Sequence, residues 1–273
     1  MSNFGIMQGR LSDKVGMPLQ SFPIKEWKEE FTRASDLGLD TIEWLVDGVN
    51  DDFNPIFSSS GRQEIKSVIS NSGVCVESIC VHSLITGEIL EPSSVGVKAI
   101  SNLKQLVDFA HEIGIERVII PAMDKLSLSQ ESKARKMSCV LASLGADTDI
   151  RFLLETDQSH EFVLRFIDSL GMDNVGVLFD LGNSNALGLN FPDEIRALTH
   201  LIGEVHIKDR RKIDGKSMRL GKADTPFDLI SNELKYSNWI GPFVMETPIF
   251  DSWLDESTNN LKFSRSFFEG SSG

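Results

Sequence analysis

Arg151-Phe152-Leu153-Leu154-Glu155 is a short apolar run that ends in a carboxylate. Runs of this kind form strands buried on both faces, as in a parallel sheet. A charge at the end of such a strand calls for a reason. The same design recurs downstream. Residues 175–179 are apolar and precede Asp180, Gly203-Glu204-Val205 runs into His206, and residues 242–245 precede Glu246. Four expected strands therefore carry Glu155, Asp180, His206 and Glu246 at or near their C-terminal ends.

A repeated junction extends the pattern to the rest of the chain. Leu37-Gly38, Ser72-Gly73, Ile113-Gly114, Leu144-Gly145 and Leu170-Gly171 each close a helical pattern and lead into a β-rich run. Glycine after a helix adopts the left-handed conformation that ends it at low steric cost. These glycines lie 26 to 41 residues apart, which suits one strand and one helix per unit. Strands are expected at residues 4–7, 41–45, 74–81, 117–120 (stopped by Pro121), 151–155, 175–179, 203–207 and 242–245. Residues 47–60 read as a loop, and the tail 269–273 is expected to fray. Helical patterns follow each strand, with Trp27, Phe31, Ala34 and Leu37 as one buried stripe and Ile100, Leu103, Val107 and Ala110 as another. Eight strands alternating with eight helices over 273 residues predict a (β/α)8 barrel in a single domain, residues 1–273. An open doubly wound sheet would carry a glycine-rich phosphate loop after its first strand. Gln8-Gly9-Arg10-Leu11 has one glycine.

Composition narrows the partners. A net charge of −13 and a pI near 4.8 disfavour a nucleic-acid backbone or an anionic membrane surface, both of which select basic faces. The three cysteines, Cys75, Cys80 and Cys139, form neither a disulfide framework nor a C-x-x-C pair. The first residues lack the basic and apolar regions of a signal peptide, and no apolar run approaches the length of a membrane span. A cytoplasmic protein with reduced thiols is expected.

In such a barrel the loops at the C-terminal strand ends build the active site. Glu155, Asp180, His206 and Glu246 would meet there, and three carboxylates without a counter-charge repel. Oxygen-rich ligation with one imidazole suits a divalent metal ion: Mn, Mg, Co or Zn.

At these residues the sequence resembles the xylose-isomerase-like TIM barrels, the sugar and sugar-phosphate isomerases and epimerases. The resemblance covers nearly the whole chain. It rests on residues 5–12 (GIMQGRLS) and 37–44 (LGLDTIEW), on Leu154-Glu155, Phe179-Asp180-Leu181-Gly182-Asn183 and Glu204-Val205-His206-Ile207-Lys208-Asp209, and on residues 241–246 (GPFVME). The Asp-x-Gly-Asn and His-x-Lys-Asp forms look most like the ketose-phosphate 3-epimerase and hexulose-phosphate isomerase branch. The resemblance implies that Glu155, Asp180, His206 and Glu246 ligate one divalent metal ion, and that Glu155 and Glu246 are also the acid and base. One glutamate would remove a proton beside a ketose carbonyl, the metal would stabilise the enediolate, and the other glutamate would return a proton. Several free-sugar epimerases of the family carry His where this chain has Asn183. A neutral amide cannot titrate near pH 7, which fits a phosphorylated substrate better.

Other candidates surround this set. His82, after the third strand, either hydrogen-bonds a substrate hydroxyl or caps its loop. Glu43, read as the end of the second strand, either binds substrate or orders His82. His111 and His200 lie in helical patterns and read as surface residues, and Cys80 reads as packing. After the seventh strand Lys208, Arg210, Arg211, Lys212, Lys216, Arg219 and Lys222 crowd into one loop against Asp209, Asp214 and Asp224. Either this loop favours an anionic sugar, with Arg210 or Arg211 gripping phosphate and Lys208 and Asp209 beside them, or it is a solvated loop. The leading expectation is a metal-dependent isomerase or 3-epimerase of a ketose or ketose phosphate, acting alone or as a homo-oligomer. The alternatives are an inosose-dehydratase-like lyase and a barrel that binds metal and sugar without turnover. Endonuclease IV shares the fold but uses a multi-histidine zinc cluster, and this acidic chain has five histidines.

Overall fold

The repeating glycine junctions end helices as the sequence implies. In the computed structural model, which describes residues 3–13, 18–145 and 148–269, Gly38, Gly73, Gly114 and Gly171 are left-handed C-caps with φ of 73°, 73°, 85° and 59°. The helices are α1 (Trp27–Leu37), α2 (Ser59–Ser72), α3 (Ser94–Ile113), α4 (Glu131–Gly145), α5 (His160–Leu170), α6 (Leu181–Ala186), α7 (Phe191–Leu198), α8 (Phe227–Tyr236) and α9 (Trp253–Phe268). Residue 146, after the fourth glycine junction, and residues 270–273 of the expected frayed tail lie outside the described residues.

The strands are β1 (Phe4–Met7), β2 (Thr41–Val46), β3 (Ser78–Val81), β4 (Arg117–Ala122), β5 (Arg151–Thr156), β6 (Val175–Asp180), β7 (Ile202–Ile207), β8 (Asp209–Arg210), β9 (Ser217–Met218) and β10 (Phe243–Met245). Eight of them close a parallel barrel in the order β1-β10-β7-β6-β5-β4-β3-β2, and β8 with β9 forms a separate antiparallel ribbon. This is the expected (β/α)8 barrel.

Period-2 alternation divides the side chains into two cores. Outward residues such as Phe152, Leu154, Trp44 and Ile120 join the large cluster between sheet and helices. A second cluster takes one residue from each of seven barrel strands: Met7, Leu45, Cys80, Ile119, Leu153, Leu178 and Val244. On the remaining strand, β7, the partner of Val244 is His206. This apolar ring fills the barrel waist. The next inward position towards the C-terminal end on β5, β6 and β10 is Glu155, Asp180 and Glu246, so the alternation that packs the ring also aims the carboxylates.

Several boundaries differ from expectation. β4 continues through Pro121, which pairs with Glu155. The β3–β4 ladder has already ended at Ile119, so the missing proline N–H costs nothing on that side. β3 begins at Ser78, with Thr41 and Cys75 joined only by an isolated bridge. The loop expected over 47–60 contains two short 3-10 turns. It ends where Ser58 caps α2 by accepting from Gly61 N at 3.0 Å. The short α6 and the β8–β9 ribbon carry no periodic signal long enough to be read in sequence.

Candidate active site

Glu155, Asp180, His206 and Glu246 come together at the C-terminal end of the barrel. One donor atom from each lies within 4.8 Å of all the others. All four are buried, with Glu155 the most exposed at 8%. They come from β5, β6, β7 and the end of β10, four neighbouring staves, with Glu155 and Glu246 on the outer two.

Local hydrogen bonds hold each group. Asp180 is the N-cap of α6: its Oδ1 accepts from Asn183 N at 2.7 Å. Capping satisfies an orphan helix donor and fixes the carboxylate. The other oxygen, Oδ2, faces Lys208 Nζ at 3.1 Å. Asn183 Nδ2 donates to Glu155 Oε1 at 2.6 Å, and its Oδ1 accepts from Arg210 Nη1 at 2.5 Å. Glu246 Oε2 lies 2.6 Å from Lys208 Nζ and 3.2 Å from His206 Nδ1. Gly182 permits the approach of the β7 loop, because a Cβ there would lie 2.8 Å from Lys208 Cγ and 3.0 Å from Arg210 Cγ.

These surroundings push the two glutamates apart electrostatically. Burial, helped by the charges of Asp180 and Glu246, pushes the Glu155 carboxyl up to about 8. Burial acts on Glu246 in the same sense, but Lys208, His206 and Arg10 outweigh it and hold that carboxyl well below the usual range. Lys208, in turn, is raised by Asp180, Glu246 and Glu155 against the effect of burial. Three carboxylates and one imidazole at this spacing fit a single divalent ion of the oxygen-preferring or borderline kind.

The other expected residues divide. His82 opens a 3-10 turn after β3 and is half-buried; burial lowers its pKa, with Glu246, Arg10 and Lys208 the next charges acting on it. Lys208, Asn183 and Arg210 converge on the cluster as described. Glu43 does not end its strand. It sits third in β2, fully buried, with His206 Nε2 2.9 Å from its Oε2. Its alternation turns it into the barrel, where it meets His206. Asp209 is fully buried as well, and its carboxylate accepts from the backbone N–H groups of Lys222, Ala223 and Thr225 at 2.9–3.1 Å. It pins the return of the basic loop. Arg211 turns outward to Asp214, and Arg219 pairs with Asp251 and Glu256. His111 and His200 are exposed and Cys80 is buried in the apolar ring.

Two site residues escaped the sequence reading. Arg10, 2% exposed, donates through Nη2 to Gln20 Oε1 at 2.7 Å, and Gln20 Nε2 donates to Glu246 Oε1. The loop that carries Arg10 is clamped by Glu30, whose carboxylate accepts from Gly9 N at 2.9 Å, Leu11 N at 3.0 Å and Ser12 Oγ at 2.7 Å. Arg10 lies directly after β1 in the stretch 5–12, where no role was read for it, and Gln20 carried no signal.

Residues 31–267 match the xylose isomerase-like TIM barrel family. The chain belongs to this family. It is 23% identical over 244 residues to the L-ribulose-5-phosphate 3-epimerase UlaE of Salmonella heidelberg (strain SL476), covering 85% of this chain and 86% of that protein. Its fold is similar to that of a D-psicose 3-epimerase solved in the presence of D-fructose, with a TM-score of 0.77, 15% identity and coverage of 99% and 100%. It is also similar to that of the 3-keto-D-glucoside 4-epimerase YcjR of E. coli, with a TM-score of 0.72, 16% identity and coverage of 97% and 100%. These structural likenesses establish the fold. Among the described residues no helix is long and apolar enough to cross a membrane.

Proposed function

We propose that this protein is a divalent-metal-dependent isomerase or 3-epimerase of a ketose or ketose phosphate. The observation that carries the reading is the placement of Glu155 and Glu246. Two buried carboxylates flank one centre from β5 and β10, with Asp180 and His206 between them on β6 and β7. When bound there, a divalent cation supplies the Lewis acid that stabilises negative charge on a substrate oxygen.

The chain's own residues supply the proton transfers. Glu246, kept ionised by Lys208 and His206, takes the proton from the carbon beside the carbonyl. Glu155, whose carboxyl is pushed up to about 8, returns a proton from the other side. A pair of carboxyls whose environments separate their proton affinities suits such an acid–base exchange. In the reverse reaction the roles interchange. Asn183 orients Glu155, and Gln20, held by Arg10, orients Glu246. Burial keeps bulk water from quenching the carbanion.

The 3-epimerase form of the reading draws on the relatives named above, and the phosphorylated substrate on Lys208 and Arg210, the cations that the β7 loop turns inward. The test is exchange of a substrate C–H proton with deuterated water, using free ketoses and ketose phosphates with Mn, Mg, Co or Zn supplied. Exchange with inversion or isomerisation, faster for the phosphates, is the expected result. Net dehydration would point to the lyase instead, and a complete lack of exchange across the panel would remove the reading.

A further inference from the structure

His206 faces two groups of carboxylates, and the second group lies on the far side of the imidazole. Its Nδ1 is 3.2 Å from Glu246 Oε2, in the acid–base cluster, while its Nε2 is 2.9 Å from Glu43 Oε2 and 3.6 Å from Glu204 Oε1. Glu43, Glu204 and His206 are all fully buried. Glu204 is two residues before His206 on β7 and therefore points inward one layer below it. Its Oε1 accepts from Ser78 Oγ at 3.2 Å and its Oε2 from Arg117 Nε at 3.1 Å. Arg117 continues to Glu77 Oε2 at 2.8 Å and Glu116 Oε2 at 3.3 Å. Glu43, Ser78 and Arg117 stand on β2, β3 and β4, none of which adjoins β7. These bonds cross the lumen and link the imidazole to the N-terminal end of the barrel.

We propose that Glu43, Glu204 and Arg117 are positioning residues that decide which nitrogen of His206 serves the metal centre. A neutral imidazole has one donor and one acceptor nitrogen, and the bond made by one nitrogen fixes the task of the other. Glu43 holds the proton on Nε2, so Nδ1, which faces Glu246 in the cluster above, is the nitrogen whose proton a metal would displace. Glu204 backs the same face, and Arg117 neutralises its charge, so that two carboxyl groups can stand beside one ring. Glu43, Glu204 and His206 are also metal-donor types within reach of one another, but His206 Nε2 is directed at Glu43 Oε2, and both oxygens of Glu204 are held by Ser78 and Arg117. One ion per chain follows. A carboxylate behind a ligating imidazole also raises its basicity, and losing it typically costs 10- to 100-fold in metal affinity.

The inference rests on the metal reading above, so its test separates the two. Histidine-15N NMR of the metal-free protein should show a slowly exchanging proton on Nε2 of His206 that is lost in Glu43→Met. A wild-type Nε2 without a proton would overturn the proposal whether or not metal binds. Calorimetric titration with Zn2+ should then give one ion per chain. Glu43→Met should bind about 10- to 100-fold more weakly, Arg117→Met should show a smaller loss, and Glu43→Gln, which keeps a neutral acceptor, should recover part of the affinity. Two ions per wild-type chain, or unchanged affinity in both Glu43→Met and Arg117→Met, would overturn it. Failure of the wild type to bind Zn2+ would count against the metal reading alone, with the NMR still deciding the orientation of His206. If Glu43→Met does not fold, Arg117→Met, at the barrel rim, and the wild-type spectrum carry the test.

Discussion

The ammonium of Lys208 lies 2.6 Å from a carboxylate oxygen of Glu246. It also lies 3.1 Å from Asp180, so one buried cation bridges two of the four candidate metal ligands. Lys208 is thus the resident counter-charge of the metal-free site. Removing one partner of a buried ion pair typically costs about 3–5 kcal/mol, because the other charge is left uncompensated. Metal-free Lys208→Met should therefore melt well below the wild type, and saturating metal should narrow the gap. A gap of the same size with and without metal, read by thermal melts, would deny Lys208 this role.

Glu155→Gln and Glu246→Gln should each stop substrate hydrogen exchange. Loss of a positioned acid or base usually costs about 10²–10⁴-fold, and both are also candidate ligands. Circular dichroism should stay native. His111 is exposed, and His111→Ala should exchange like the wild type. Wild-type turnover in Glu246→Gln would overturn the assignment.

Stability of the metal-free protein should fall as pH rises through neutrality. Glu155 and Glu43 are both pushed up to about 8, chiefly by burial, from 4.5. The fold therefore holds protons that the unfolded chain has released, and stability contributed by these groups is lost between about pH 4.5 and pH 8. Glu204 runs the other way. Held at about 2, with His206, Glu43 and the charge of Arg117 overcoming burial, it contributes above about pH 4.5 and loses that contribution as pH falls towards 2. Metal must displace the Glu155 proton, so affinity should rise with pH up to about 8. The melting temperature of metal-free protein should drop from about pH 5.5 to about pH 8.5, and the gain on adding Mn2+ should grow. At a hundredfold excess over Kd the gain is about 2.7 kcal/mol, or on the order of 5–10 °C. A gain that shrinks with rising pH would contradict the ionisation scheme.

Glu30→Ala should loosen the loop that orients Glu246. It strips the partner from Gly9 N, Leu11 N and Ser12 Oγ, and each buried orphan costs about 1–3 kcal/mol. The expected outcome is lower stability together with a lower kcat, since Arg10 and Gln20 no longer hold Glu246. Glu30→Gln keeps one acceptor and should fall between. Unchanged melting and kinetics in Glu30→Ala would show that the clamp does not matter.

Much of the site was legible because strands have a simple period. Leu153 and Glu155, Leu178 and Asp180, and Val244 and Glu246 are each two apart, so an apolar ring residue guarantees the direction of the charged one above it. The same rule applied to Glu43 and Leu45 would have turned Glu43 into the barrel, but reading Glu43 as the last residue of its strand hid the relation. Arg10, Gln20 and Asp209 were harder for a physical reason. Arg10 and Gln20 lie on loops and Asp209 opens the two-residue β8, so their direction comes from tertiary bonds to Glu246, Glu30 and the 222–225 backbone, and no spacing in the chain records those bonds. The basic loop misled in another way: Arg211 and Arg219 are matched by acids from nearby turns and α9, and charge counted along the chain does not reveal such pairing.

Gly182 has a consequence for how this site can change. A single methyl group at that position would press on Lys208 and Arg210 together, at 2.8 and 3.0 Å. The two inward cations are therefore mechanically yoked: neither can be resited by enlarging residue 182 without moving the other. A lineage that gave up the anionic substrate proposed above could displace both cations with one added carbon, whereas restoring them would require that carbon to be lost first.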